Sequence, residues 1–177
     1  MMSVLASHLK EDIIESIPLH RRVLSDPRHL LAFGLGSGLA PVAPGTFGTL
    51  AAIPLYWLMS DLSLWTYLAV TLVLFLFGCW LCGWSAGALG VHDHSGIVWD
   101  EVMGLLITMT AVHPGWGAVI LGFAFFRLFD IWKPWPIRIV DARVGGGFGI
   151  MFDDVLAGVY AAICLQLVLS VFPELSA

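Results

Sequence analysis

From Leu62 to Leu89 the chain carries no charged side chain. A run of that length has few homes, because about 20 apolar residues in a helix already span the hydrocarbon core of a bilayer. Mean hydropathy is +0.90 over 177 residues, 59% of them hydrophobic and only 12% charged, which is too apolar for a soluble domain of this size. These bounds predict an all-α, polytopic integral membrane bundle. Further apolar segments at Thr46–Met59, Val102–Val112, Trp116–Phe129 and from Asp153-Asp154 to Val171 bring the expected number of passes to about five. Val102–Val112 is short for a pass, about 17 Å as a helix, so its helix begins earlier or its charged end sinks below the surface. Residues 30–172 are expected to form one membrane-embedded domain. Residues 1–29 form a charged N-terminal segment without a signal-peptide pattern, expected in the cytoplasm, and residues 173–177 a short tail.

Asp26-Pro27 reads as a helix start, with Asp as cap and Pro in the first turn. Between Gly34 and Thr46 the chain is rich in Gly and Pro yet uncharged, so it cannot be one regular helix. Irregular backbone at membrane depth is tolerated only where protein buries it or it lines a wet cavity, which predicts a re-entrant or interfacial loop. Cys79, Cys82 and Cys164 fall inside apolar segments and read as packed thiols, since the CxxC has no second ligand pair. A net charge of −5 with no basic stripe argues against nucleic acid as a partner. No obligate protein partner is evident.

The cations fix an orientation. Lys10, Arg21, Arg22, Arg28, Arg127, Lys133, Arg138 and Arg143 lie in the N-terminal segment or around the loop after the fourth apolar segment, and the turns at Ser60–Ser63 and His113–Gly115 have none. The positive-inside rule then places the N-terminus and the loops at 90–100 and 131–152 in the cytoplasm. Under that topology five carboxylates, Asp100, Glu101, Asp130, Asp153 and Asp154, share one cytoplasmic face.

Charges at the edge of an apolar core mark a functional site by default, and carboxylate pairs suit Mg²⁺, which bridges readily to phosphate. All five are candidate metal ligands. Helix capping is the plain alternative for Asp100-Glu101 and for Asp153-Asp154, each expected at a helix N-terminus. Asp130 has no such explanation, because it falls at a helix C-terminus where the dipole disfavours an anion; Lys133, at i+3, or a metal would compensate it. The glycine-rich segment has two open readings: Ser37, Gly38, Gly45 and Thr46 offer N–H and hydroxyl groups to a phosphate, or small residues there allow tight helix packing. Lys133, Arg138 and Arg143 set topology or attract anionic headgroups, with Lys133 the best functional candidate. His92 and His94 flank Asp93 and offer a proton relay, although loop histidines are more often simply solvated.

Four ordered blocks then resemble one known family. They are Gly34-Leu35-Gly36-Ser37-Gly38 through Ala43-Pro44-Gly45-Thr46-Phe47-Gly48-Thr49, Ile97-Val98-Trp99-Asp100-Glu101, Phe126-Arg127-Leu128-Phe129-Asp130 through Lys133-Pro134-Trp135-Pro136, and Gly146-Gly147-Phe148-Gly149 through Asp153-Asp154 to Gly158. Together they resemble phosphatidylglycerophosphatase A over residues 30–172, with Ser95-Gly96 inverted relative to the family's expected order. The resemblance implies a bacterial inner-membrane, Mg²⁺-dependent phosphatase that converts phosphatidylglycerophosphate into phosphatidylglycerol, its lipid substrate lying in the cytoplasmic leaflet. It implies metal binding by the acids and substrate handling by the glycine segment. Asp100, Glu101, Asp130, Lys133 and Asp154 are the expected catalytic set, and Ser37, Gly38, Gly45, Thr46 and Lys133 the expected phosphate ligands. A CDP-alcohol phosphotransferase is set aside, because its Asp-x-x-Asp-Gly-x-x-Ala-Arg order is absent. A cation or proton transporter using the same carboxylates is the alternative function.

Overall fold

A computed structural model describes residues 18–91 and 94–176. Most of the N-terminal segment, together with His92 and Asp93, lies outside the described residues, and with them part of the proposed histidine relay. Eight α-helices occur among the described residues, and no strand: α1 (Leu19–Ser25), α2 (Pro27–Ala32), α3 (Pro44–Met59), α4 (Leu64–Leu89), α5 (Trp99–Thr108), α6 (Trp116–Trp132), α7 (Ile137–Arg143) and α8 (Gly146–Val171). The all-α expectation holds.

Local chemistry sets the boundaries. The Asp26 carboxylate accepts from the Arg28 N–H and Pro27 opens α2, as the sequence predicts. Ser63 caps α4 by accepting from the Thr66 N–H, and Gly90, in the left-handed region at φ 72°, ends it. Gly34–Leu39 is a short 3-10 segment kinked at Leu35 and Gly36, so the irregular stretch between α2 and α3 is a tight fold-back.

Helix α8 forms the centre, packing against α4, α5, α6 and α7. Where α5 crosses α8 the backbones nearly touch: a Cβ on Gly158 would lie 2.6 Å from the Gly104 carbonyl oxygen, so only glycine permits this crossing. Met103, Leu105, Leu106, Phe126, Met151 and Leu165, all buried, fill the space between these helices.

Helices α4 and α8, 26 residues each, are long and apolar enough to cross a membrane, about 39 Å at 1.5 Å per residue. Only 22% and 28% of their most apolar windows are buried inside the protein, so most of that apolar surface faces outward. On α4 the outward side chains include Leu72, Val73, Leu76 and Trp80; on α8, Ile163, Leu167 and Val171. The other helices are shorter: α3 has 16 residues, α6 has 17 and α5 only 10. By length and composition, two helices among the described residues are thus candidate membrane spans, short of the five passes expected.

Two further boundaries differ from expectation. The stretch 131–152 is not an open loop, since it folds into α7 and the opening of α8. Helix α8 starts at Gly146 rather than at Asp153, because Gly145 supplies an extended cap and Gly146 a left-handed turn at φ 72°. Asp153 and Asp154 therefore sit about two turns inside a helix.

Candidate active site

The glycine-rich segment acts first as a packing platform. A Cβ on Gly48 would meet the Val98 side chain at 2.5 Å, and Gly38 lies directly against the Gly96 carbonyl. The Val98 N–H donates to the Ala32 carbonyl at 2.9 Å, tying the start of α5 to the end of α2. These contacts fix the first turn of α5, which carries Asp100 and Glu101 as expected. The first turn of α3 brings Gly45 against the Glu101 carboxylate and the Arg127 guanidinium, with no room for a side chain.

Helix α6 contributes Arg127 and Asp130, one turn apart, and ends on Lys133 in the left-handed region at φ 45°. That turn sends the Lys133 ammonium back over the bundle, where Nζ donates to Asp153 Oδ2 at 2.7 Å and to Asp141 Oδ1 at 2.8 Å. Arg127 Nη1 pairs with Asp130 Oδ2 at 2.5 Å and lies 3.8 Å from Glu101 Oε1. Lys133 is therefore not the partner of Asp130. The compensation comes from Arg127, on the preceding turn, because the left-handed cap turns Lys133 away.

The result is a cavity of about 400 Å³ walled by α3, α5, α6, α7 and α8. It gathers Asp100, Glu101, Asp130, Lys133, Asp153 and Asp154, with Gly45 at its edge. Ser37, Gly38 and Thr46 are not on its wall. Capping cannot explain Asp153 and Asp154, which are buried mid-helix at 6% and 3% exposure.

Three of the acids converge more closely than the rest. One carboxylate oxygen each from Asp100, Glu101 and Asp154 lie within 4.8 Å of one another. Glu101 Oε2 and Asp154 Oδ2 are buried without a hydrogen-bond partner, as is Asp153 Oδ1. Buried polar atoms are ordinarily satisfied, so such atoms call for an explanation. Burial pushes the Glu101 carboxyl up to about 8; its hydrogen bond with Asp100 opposes this, the charges of Asp154 and Asp130 add to it, and Arg127 pulls the other way. At Lys133 burial works against the charge, but Asp141 and Asp153 outweigh it and hold the ammonium above its ordinary range. Hard oxygen donors grouped this closely, with unpartnered atoms, fit a divalent cation of the Mg²⁺ type.

Sequence reasoning passed over Arg127, Asp141 and Ser95 as site residues, and all three line the cavity. The i,i+3 spacing of Arg127 and Asp130 was a usable signal. Asp141 had none, because its meeting with Lys133 depends on how residues 134–140 fold.

Residues 30–169 match the family described as Phosphatidylglycerophosphatase A. A phosphatidylglycerophosphatase A of Escherichia coli (strain K12) is 48% identical over 162 residues, covering 91% of each chain. One from Haemophilus influenzae is 48% identical over 151 residues, covering 84% of this chain and 93% of that one. A putative phosphatidylinositol-3-phosphatase of Bacteroides thetaiotaomicron is 42% identical over 144 residues, covering 77% of this chain and 89% of that one. No solved structure matches.

Proposed function

Because this chain belongs to the phosphatidylglycerophosphatase A family and is a phosphatase, we propose that it hydrolyses the terminal phosphomonoester of phosphatidylglycerophosphate, giving phosphatidylglycerol and phosphate in phospholipid biosynthesis. The observation that carries this reading is the convergence of Asp100, Glu101 and Asp154 beside Lys133 and Arg127 in one cavity. Acids alone would repel a phosphate, and cations alone would hold it without activating anything.

Asp100, Glu101 and Asp154 are the residues that would hold Mg²⁺, which when bound supplies charge neutralisation and Lewis-acid polarisation of the phosphate ester. The chain's own cations then position the group. Lys133, steadied by Asp141 and Asp153, stabilises charge on the transferring phosphoryl oxygens. Arg127, held by Asp130, adds a second planar donor. Asp153 keeps one oxygen on Lys133 and has the other buried and unpartnered, so it is placed to accept the proton of an attacking water. The water oxygen forms the new bond to phosphorus, the bond from phosphorus to the glycerol oxygen breaks, and that oxygen leaves as the alcohol, taking a proton from solvent while the one held by Asp153 returns to solvent.

The protein works in the bacterial inner membrane as a multi-pass protein. Helices α4 and α8 cross in full, and the cavity opens on the cytoplasmic side. Supporting this are the outward apolar faces of those two helices and the positive charge of Lys133, Arg138 and Arg143 in the stretch 131–152.

The test is phosphate release by the full chain in detergent micelles containing phosphatidylglycerophosphate, with Mg²⁺ or with EDTA, and with phosphatidylinositol 3-phosphate as a second substrate. Mg²⁺-dependent release from phosphatidylglycerophosphate is expected. No release, or equal release in EDTA, overturns the reading. Whether an acyl phosphate can be trapped during turnover separates an aspartyl-phosphate route from direct water attack.

A further inference from the structure

Beside the catalytic cavity lies a second one, of about 480 Å³, lined by Trp132, Lys133, Pro134, Trp135, Arg138 and Ile139. Lys133 is common to both, so the two cavities share a wall. Their contents differ. The catalytic cavity has carboxylates from four helices, whereas the second has none on its wall.

Arg138 is exposed, and among the described residues no carboxylate pairs with it. The other two cations near the cavities, Arg127 and Lys133, are each committed to acids. Trp132 and Trp135 are 68% and 76% exposed, large apolar surfaces standing in the open. The backbone at Trp135 is tied down: the Tyr160 hydroxyl donates to the Trp135 carbonyl at 3.3 Å, and the Tyr160 ring meets Phe129 edge-on. Exposed Trp at the end of α6 and in the turn after it suits the headgroup level of a bilayer, and an unpaired guanidinium suits a phosphate.

The substrate of the proposed reaction carries two phosphates, the terminal monoester and the diester that joins its headgroup to diacylglycerol, linked through one glycerol. We propose that Arg138, framed by Trp132 and Trp135, binds the phosphodiester of the lipid substrate while the monoester occupies the neighbouring catalytic cavity. This rests on the function proposed above. The unpaired cation supplies charge complementarity to the diester, the indoles cover the glycerol backbone, and the shared Lys133 wall puts the two anions side by side. Arg138 is thereby a specificity-determining residue: it selects a phosphomonoester that carries a second, lipid-linked phosphate.

The experiment compares wild type, Arg138→Gln, Arg138→Lys and Arg143→Gln in mixed micelles with Mg²⁺. With Arg138→Gln the KM for phosphatidylglycerophosphate rises about tenfold, the size expected for one charge-assisted hydrogen bond, while kcat stays within about twofold. Arg138→Lys recovers part of the loss, because it keeps the charge and loses the fork. Arg143→Gln, which removes a neighbouring surface cation outside both cavities, leaves KM unchanged. Two inhibitors separate the subsites. The Ki of phosphatidylglycerol, which has only the diester, rises in Arg138→Gln; the Ki of inorganic phosphate, which fits the catalytic cavity alone, does not. An unchanged KM in Arg138→Gln, an equal effect of Arg143→Gln, or a parallel rise in the Ki of inorganic phosphate overturns the assignment. If wild type fails to release phosphate from phosphatidylglycerophosphate, the function itself falls and the subsite with it; if wild type works and Arg138→Gln works equally well, only the subsite falls.

Discussion

At the end of the bundle away from the acids, a smaller cavity of about 170 Å³ is lined by Tyr56, Tyr67, Met109 and His113 among others. Its buried polar groups are fully used: the Tyr56 hydroxyl donates to the Val112 carbonyl at 2.9 Å and the Tyr67 hydroxyl to the Leu106 carbonyl at 2.6 Å. At the acidic end, Glu101, Asp153 and Asp154 bury oxygens that have no hydrogen-bond partner. Helix α3 lines both cavities, and α5 carries acids at one end and the Leu106 carbonyl that Tyr67 bonds at the other. One end spends its polar groups on holding the bundle together, and the other keeps them available at a cost in stability. Between these two cavities it is the state of satisfaction of the buried groups that differs, although Ser37 Oγ and Thr71 Oγ1, outside both, are also buried and unpartnered.

The largest break in that contrast comes from neutralising an unpartnered acid. Glu101→Gln or Asp154→Asn is expected to lower kcat by about 10³-fold, comparable to losing a principal electrostatic stabiliser of a transition state. In EDTA the melting temperature is expected to stay level or rise, because a buried carboxylate has been exchanged for a neutral amide. Phosphate release and thermal unfolding on the same preparations check both. A variant that unfolds while retaining activity per folded molecule would reverse the assignment of roles.

Lys133→Met strikes both functions at once. It is expected to lower kcat by about 10²-fold, since a phosphoryl-stabilising cation is lost. It also leaves Asp153 buried beside no ammonium, costing about 2 kcal/mol once the partial exposure of Lys133 is discounted. Gly45→Ala acts more mildly, by pushing a methyl group into the Glu101 carboxylate and Arg127. About tenfold lower activity is expected, in line with a misplaced catalytic group. Tyr67→Phe, at the other end, should leave kcat within about twofold and lower stability by about 1 kcal/mol, or roughly 2–4 °C.

What the sequence disclosed follows the same division. The acids were legible because charge is expensive at the edge of apolar segments, and the i,i+3 pair Arg127–Asp130 was available to the same reasoning. The position of Asp153-Asp154 within its helix was not, because Gly145-Gly146 was read as loop rather than as the opening of α8. The number of membrane passes was not legible to the same degree, for a related reason. Apolarity identifies segments that avoid water, but α5 avoids it by packing inside the bundle on α8 and α3, and its 10 residues reach only about half of a bilayer core. The pairing of Lys133 with Asp141 was beyond any pattern in the chain, since it depends on the left-handed turn at Lys133 itself.

The smallest effect concerns His29, a third example of a satisfied buried group. Its Nδ1 lies 2.8 Å from Ser85 Oγ, its ring packs 4.8 Å from Trp84, and it is 5% exposed, so it anchors α2 against the end of α4. Burial lowers its pKa; Asp26 opposes this weakly, and Arg22 and Arg28 add to it. A histidine held neutral in the folded state contributes stability that is fully present above its unfolded value of about 6.5 and is lost as pH falls below it. The melting temperature of wild type should therefore drop between pH 7 and pH 5 by more than that of His29→Gln, which cannot take up the proton. If the two curves run parallel, protonation is not linked to unfolding, and the His29–Ser85 contact is a packing arrangement without a titrating consequence. Convergence of the two curves at acid pH would place His29 with Tyr56 and Tyr67: polar groups whose satisfaction holds the bundle, set apart from the carboxylates that α5 and α8 leave open.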